Sequence, residues 1–169
     1  LGVDIIEAGF AISSPDDFAA VQAIAGVIEH ARVASLARAL KKDIDRAYEA
    51  VKNAKHPVIH VFLATSDIHM EYKLRMTREQ VLAQIEEMVG YAKSLCPDVE
   101  FSAEDASRSD KAFLAQAFSV AVKAGATVIN APDTVGYATP QEMFDMIDYL
   151  AKHVEGVENV DISTHCHDD

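Results

Sequence analysis

Six short apolar runs alternate with longer amphipathic segments along the whole chain, and this alternation limits the possible folds more than any other feature. The runs are Val3 to Ala8, Arg32 to Ala37, Val58 to Ala64, Val99 to Ala103, Thr127 to Asn130 and Val160 to His165. Short apolar runs between longer periodic stretches are the signature of repeated strand–helix units and a parallel sheet. Between them, Lys41 to Ala54 places Ile44, Ala47, Tyr48 and Val51 on one stripe of a helix. Other helices announce their starts. Ser14-Pro15-Asp16-Asp17 sets a cap before a proline at the first helical position, and Thr77-Arg78-Glu79-Gln80 and Thr139-Pro140-Gln141-Glu142 read as capping boxes. Helices are expected near residues 15–30, 41–54, 77–95, 109–124 and 140–154.

A chain of 169 residues, half of them apolar, buries one core and fits one domain, residues 1–169. Units of this size suit either a doubly wound sheet or a (β/α)8 barrel, and no G-x-G-x-x-G follows the first strand to favour a dinucleotide fold, so the pattern leans to the barrel. No apolar run approaches the roughly 20 residues that span a bilayer. Leu1 to Phe10 lacks the build of a signal peptide. The two cysteines, Cys96 and Cys166, lie far apart with no C-x-x-C spacing, which argues for reduced thiols in a cytoplasmic protein. A net charge of −12 repels phosphate backbones, and no basic cluster offers a nucleic-acid footprint.

Polar residues gather where the strands end: Glu7, Arg38, Thr65-Ser66, Glu104-Asp105, Asp133-Thr134 and His165-Cys166-His167. Loops are polar whether or not they act, so each alone is a weak signal. The repetition at six strands is what matters, because a barrel enzyme builds its site from the C-terminal ends of several strands. Strand parity sharpens the pattern. His165 and His167 share a face, as do Ser102 and Glu104, as do Ala34, Leu36 and Arg38, and as do His60, Phe62 and Ala64, so these sets can line one cavity. Two converging imidazoles with a carboxylate and open positions suit a divalent ion acting as a Lewis acid. Hydrogen-bonded histidines at a strand end, and for His60 a satisfied core histidine, are the plainer alternatives.

Five segments then carry a family resemblance. Asp4 to Phe10 followed by Ser13-Ser14-Pro15, His60 to Glu71, Phe101 to Arg108, Pro132 to Tyr137 and His165 to Asp169 closely resemble, in order, the 2-isopropylmalate synthase family. The resemblance implies a partial (β/α)8 barrel, covering strands two to seven, and condensation of acetyl-CoA with 2-oxoisovalerate in leucine biosynthesis. It implies a divalent cation, Mn2+ or Mg2+, on His165 and His167, with Glu104 as the catalytic carboxylate. It further implies that Thr134 binds the oxoacid carboxylate and that Ala34, His60 and Ser102 meet its side chain, with Glu7 and Arg38 on the same rim. A homodimer is implied for the full-length protein. Citramalate synthase, homocitrate synthase and hydroxymethylglutaryl-CoA lyase are the sister alternatives.

Two departures stand out. The family commonly has Gly-Phe-Pro where this chain has Gly9-Phe10-Ala11. The family's first strand, with an Arg-Asp pair whose Asp is a metal ligand, and its eighth strand, with an asparagine ligand, have no counterpart between Leu1 and Asp169. The expectation is therefore an internal segment of a catalytic domain, inactive as an isolated chain.

Overall fold

A computed structural model describes residues 2–167. Six strands, β1 (Ile5–Gly9), β2 (Arg32–Arg38), β3 (Pro57–Ala64), β4 (Asp98–Glu104), β5 (Val128–Asp133) and β6 (Asp161–Cys166), form one sheet in sequence order. Every neighbouring pair is parallel. That order separates the two folds left open by the sequence. A doubly wound sheet reverses its strand order and carries helices on both faces, whereas right-handed crossovers between successive neighbours put every helix on one face and roll the sheet toward a barrel.

The five expected helices are present as α1 (Pro15–Val27), α2 (Lys41–Val51), α4 (Arg78–Leu95), α5 (Lys111–Ala124) and α6 (Pro140–His153). Their starts follow from the caps read in the sequence. Ser14 Oγ accepts from the Asp17 N–H with Pro15 in the first turn, and Thr77 and Thr139 both form complete capping boxes. Helix α1 ends three residues before residue 30, where Ile28 turns extended. The stripe on α2 is buried at Ile44, Ala47 and Val51, while Tyr48 is only partly covered. One element has no counterpart in the sequence reading. Residues Asp67–His69 form a single turn, α3, that continues as a π-helical turn, Met70–Leu74, and stops at Arg75 with φ of 56°. It lacks an apolar repeat, and Met70 alone of its side chains is buried.

Parity divides the sheet chemically. Val33, Ala37, Ile59, Val61, Leu63, Val99, Phe101, Ala103, Ile129 and Ala131 face the helices and are buried there. Phe101 meets Phe118 of α5 edge-on at 6.1 Å, and such aromatic contacts carry much of a core's burial. The opposite parity carries His60, Glu100, Ser102, Glu104, Asn130 and His165, so the helix-free face is the polar one. Among the described residues β1 and β6 are the edges of the sheet. No helix is long and apolar enough to cross a membrane among the described residues.

Two glycines test this packing in opposite directions. Gly125 ends α5 at φ +112°, and a Cβ there would lie 2.7 Å from Lys93 Cγ, whose side chain is tied through Nζ to the Pro97 carbonyl. Gly90 sits inside α4 with nothing within 4 Å of a Cβ. Gly125→Ala should cost about 1–3 kcal/mol. Gly90→Ala should stabilise by up to about 1 kcal/mol. Denaturant midpoints that move in the same direction for both would contradict the packing described.

Candidate active site

The helix-free face opens at its C-terminal end into a cavity of about 220 Å³. Seven of the residues singled out from sequence line it: Glu7, His60, Ser102, Glu104, Thr134, His165 and His167. Glu7 is on β1 and His165 on β6, the two edges of the sheet, yet both line this one cavity. The sheet is curled enough for its edges to face one cavity.

Two expected residues are placed differently. Ala34 has the inward parity but is fully buried in register with Val58, one layer deeper than Leu36 and His60. Leu36, the next inward residue toward the rim, lines the cavity in its place. Arg38 ends β2 but is drawn aside. Its guanidinium grips the buried Asp43 of α2, with Nε to Oδ2 at 2.5 Å and Nη2 to Oδ1 at 3.2 Å. It borders a second, more apolar cavity of about 360 Å³ that shares Phe62 and Glu104 with the first.

A chain of hydrogen bonds crosses the floor of the first cavity. His60 Nδ1 meets Glu7 Oε2, and His60 Nε2 meets Ser102 Oγ at 2.6 Å. Asn130 Nδ2 donates to the same Ser102 Oγ at 2.6 Å, and Asn130 Oδ1, buried, has no partner among the described residues. Glu100 lies behind His60, with Oε1 at 3.8 Å from Nε2. Burial pulls the His60 imidazole down, but the Glu7 hydrogen bond and the Glu100 and Glu7 carboxylates outweigh it and hold His60 above its ordinary value. Burial pushes Glu7 up, yet the His60 hydrogen bond and the charges of His60 and His165 keep it below the usual range. Burial dominates at Glu100, whose acid is raised despite His60. With His60 protonated both ring nitrogens donate, so Ser102 Oγ accepts twice and keeps its own proton to donate.

Glu100 and Asn130 escaped the sequence reading. Glu100 has the same parity as Ser102 and Glu104, so the period-two rule could have found it. Asn130 lay at the end of an apolar run, and only register with Ser102 and Ser163 places it inward.

At the rim, Thr134 Oγ1 accepts from the Asp105 N–H at 2.9 Å, which fixes the hydroxyl and leaves its proton unused in that bond. Asp105 is fully buried in the left-handed region at φ 66°. Burial works against its ionisation, but hydrogen bonds from Arg108, Ser66 and His69 hold its carboxyl below the usual range. Asp133, next to Thr134, accepts from Ser107 Oγ and the Ala138 N–H, both at 2.7 Å, pinning the loop after β5. Glu104 faces the cavity with both oxygens on Lys73 Nζ, at 2.6 and 2.9 Å.

The His165 and His167 rings stack in parallel, 4.3 Å between centroids and 3° between planes. The stack puts both imidazoles on one side of the strand end and close together, as two ligands of one ion at about 2.0–2.1 Å each require, although stacked rings aim their in-plane lone pairs side by side and a shared ion needs at least one ring to turn. Asp168 and Asp169, which end the same motif, lie outside the described residues. Among the described residues no group of three or more His, Cys, Asp or Glu side chains converges as a metal site.

The whole chain, residues 1–169, matches the HMGL-like family. The chain belongs to that family. Among curated relatives of this HMGL-like chain, 2-isopropylmalate synthases of Halalkalibacterium halodurans and Pelotomaculum thermopropionicum are each 57% identical over 169 residues, and one of Listeria innocua is 54% identical. The alignments cover all of this chain but only 33%, 34% and 33% of the halodurans, thermopropionicum and innocua proteins. The chain thus spans about a third of their length. Among solved structures, hydroxymethylglutaryl-CoA lyase from Pseudomonas aeruginosa superposes with a TM-score of 0.74 at 20% identity, over 98% of this chain and 56% of that one. That likeness supports the fold, a partial barrel.

The coupled pair gives a pH signature. His60's stabilisation is complete below its ordinary value near 6.5 and is lost as pH rises through its raised folded value. Glu7's is complete above its ordinary value near 4.5 and is lost as pH falls through its depressed folded value. Stability from the pair should therefore be greatest between about pH 4.5 and 6.5. In Glu7→Gln, NMR should find His60 titrating at lower pH than in the parent. An unchanged His60 titration would show that Glu7 is not its partner.

Proposed function

We propose that this chain forms most of the active-site wall of a 2-isopropylmalate synthase, which condenses acetyl-CoA with 2-oxoisovalerate in leucine biosynthesis. The observation that carries the reading is the convergence of His165, His167, Glu104 and Thr134 on one cavity, in a sequence 54–57% identical to proteins bearing that name. Residues 1–169 act as one partial barrel domain of a longer, cytoplasmic, homodimeric protein. They lack the activity on their own.

In this reading His165 and His167 hold a divalent cation, Mn2+ or Mg2+, which when bound supplies Lewis acidity to the keto oxygen of the oxoacid. Thr134 directs its unused hydroxyl proton at the oxoacid carboxylate, and Leu36, Phe62 and Pro132 give the branched alkyl group an apolar wall. His60 and Ser102, fixed by Glu7 and Asn130, set the floor beneath it. Glu104 is the catalytic carboxylate at the reacting carbons. A base takes a methyl proton from acetyl-CoA, the enolate carbon bonds to the keto carbon as the C=O pair moves onto the keto oxygen, which takes up a proton to become the hydroxyl, and water then cleaves the thioester to a carboxylate and the CoA thiol.

Two predictions test the reading in a full-length protein carrying this segment. Thiol release should require a divalent cation and be faster with 2-oxoisovalerate than with pyruvate or 2-oxoglutarate. His165→Ala should lower it by on the order of 100-fold or more, since even residues that merely support a metal ligand cost about 10–100-fold. Preference for another oxoacid would move the assignment to a sister synthase, and undiminished turnover in His165→Ala would remove the metal assignment. Selectivity should reside in Leu36 rather than Ala34. Leu36→Ala should shift preference between oxoacids by about 1–3 kcal/mol per methylene of mismatch. Ala34→Leu, which overpacks a filled layer, should cost about 1–3 kcal/mol of stability. Competing-substrate assays and melting curves separate the two effects, and a selectivity shift confined to Ala34→Leu would restore Ala34 to the pocket.

A further inference from the structure

Among the described residues, Glu104 is the one carboxylate on the cavity wall whose two oxygens are both held by a single cation, Lys73 Nζ at 2.6 and 2.9 Å. Lys73 comes from outside the strands, on the π-helical turn Met70–Leu74. Single π turns recur at functional sites, where they aim a side chain that a regular helix would misdirect. This one is fixed at both ends. Before it, Ser66 Oγ and the Asp105 carboxylate both meet His69 Nδ1 at 2.9 Å. After it, the Met76 N–H closes back on the Met70 carbonyl at 3.1 Å, and Arg75 takes the left-handed conformation that ends the turn. Met70 itself is buried.

We propose that Lys73 is a positioning residue for Glu104. A glutamate's terminal torsion is broad and two-fold, so an unrestrained Glu104 would sample many carboxylate planes. Contact with both oxygens selects one plane and fixes where the remaining lone pairs face. Arg38, the other cation beside Glu104 in the second cavity, is committed to Asp43. Magnitudes separate this role from a structural one. The Lys73 side chain is 49% exposed, and ion pairs so exposed contribute little to stability. Misplacing a reacting group by about an ångström, in contrast, can cost on the order of 100-fold in rate.

The inference rests on Glu104 being the catalytic carboxylate, and the test keeps the two apart. In a full-length protein carrying this segment, Lys73→Met, Lys73→Arg, Glu104→Gln and the Lys73→Met/Glu104→Gln double variant are assayed for kcat, for KM of each substrate and for melting temperature. Lys73→Met should lower kcat about 100-fold with KM for the oxoacid within about threefold. Its melting temperature should stay within about 2 °C of the parent, as loss of an exposed pair predicts. Lys73→Arg should recover at least about a tenth of the parent rate, and Lys73→Met should add nothing to Glu104→Gln, because residues acting as a unit are not additive. Full turnover in Glu104→Gln would overturn the catalytic assignment itself. A dead Glu104→Gln beside a Lys73→Met enzyme within about threefold of the parent would overturn the role of Lys73 alone, given the rate cost expected of misplacement. A Lys73→Met defect confined to the KM of the acyl-CoA, or additive with Glu104→Gln, would overturn it as well.

Discussion

Strands that follow one another in sequence order, joined by right-handed crossovers, put all their helices on one face of a parallel sheet. The other face receives no apolar partner. Here it carries the buried His60, Glu100, Ser102 and Asn130, groups that burial penalises unless each finds a hydrogen bond or an opposite charge, with Glu104 and His165 toward the open rim. The Glu7–His60–Ser102–Asn130 chain meets most of that demand, with the His60 ring between the Glu7 and Glu100 side chains and only Asn130 Oδ1 without a partner among the described residues. A pair so placed is weak evidence for stability, because desolvation offsets much of the attraction. Its effect is orientation: Ser102 Oγ is held by His60 Nε2 on one side and accepts from Asn130 Nδ2 on the other.

The rim repeats the device at the ends of β4 and β5. Asp105 is a buried charge in a conformation that only glycine adopts without strain, and a carboxylate there persists because Arg108 and His69 hold it. Its backbone N–H then serves Thr134, and its neighbour in the chain is Glu104. One strained residue thereby fixes two groups of the site on adjacent strands. His69, which braces Asp105, also precedes the turn that delivers Lys73, so the same brace sets the spacing between the lysine and its carboxylate.

What was legible in the sequence follows from period. Helix starts were readable at Ser14, Thr77 and Thr139 because capping chemistry is local, and the inward sets on β3, β4 and β6 were readable because side chains alternate along any strand. Depth was not readable. Parity put Ala34 and Leu36 on one face, but which of them reaches the cavity depends on the register of β2 against its neighbours, with an irregularity between Glu7 and Gly9 on β1. Arg38 has the right parity and position, yet Asp43 five residues later captures it, a contact no repeat encodes. Lys73 left no trace, since a π turn has no recurring apolar spacing to betray it.

The positions of Glu7 and the histidines also bear on how much of a metal site this segment supplies. Glu7 lies on one edge strand and His165 on the other, and both line the same cavity. An ion on the imidazole pair would therefore stand near the opening between β6 and β1, where the described chain offers two imidazoles and no third convergent ligand. Lewis-acid sites usually draw three protein ligands and keep further positions open for substrate. Two imidazoles alone fall short of that number, so the proposed cation needs at least one ligand besides the described pair.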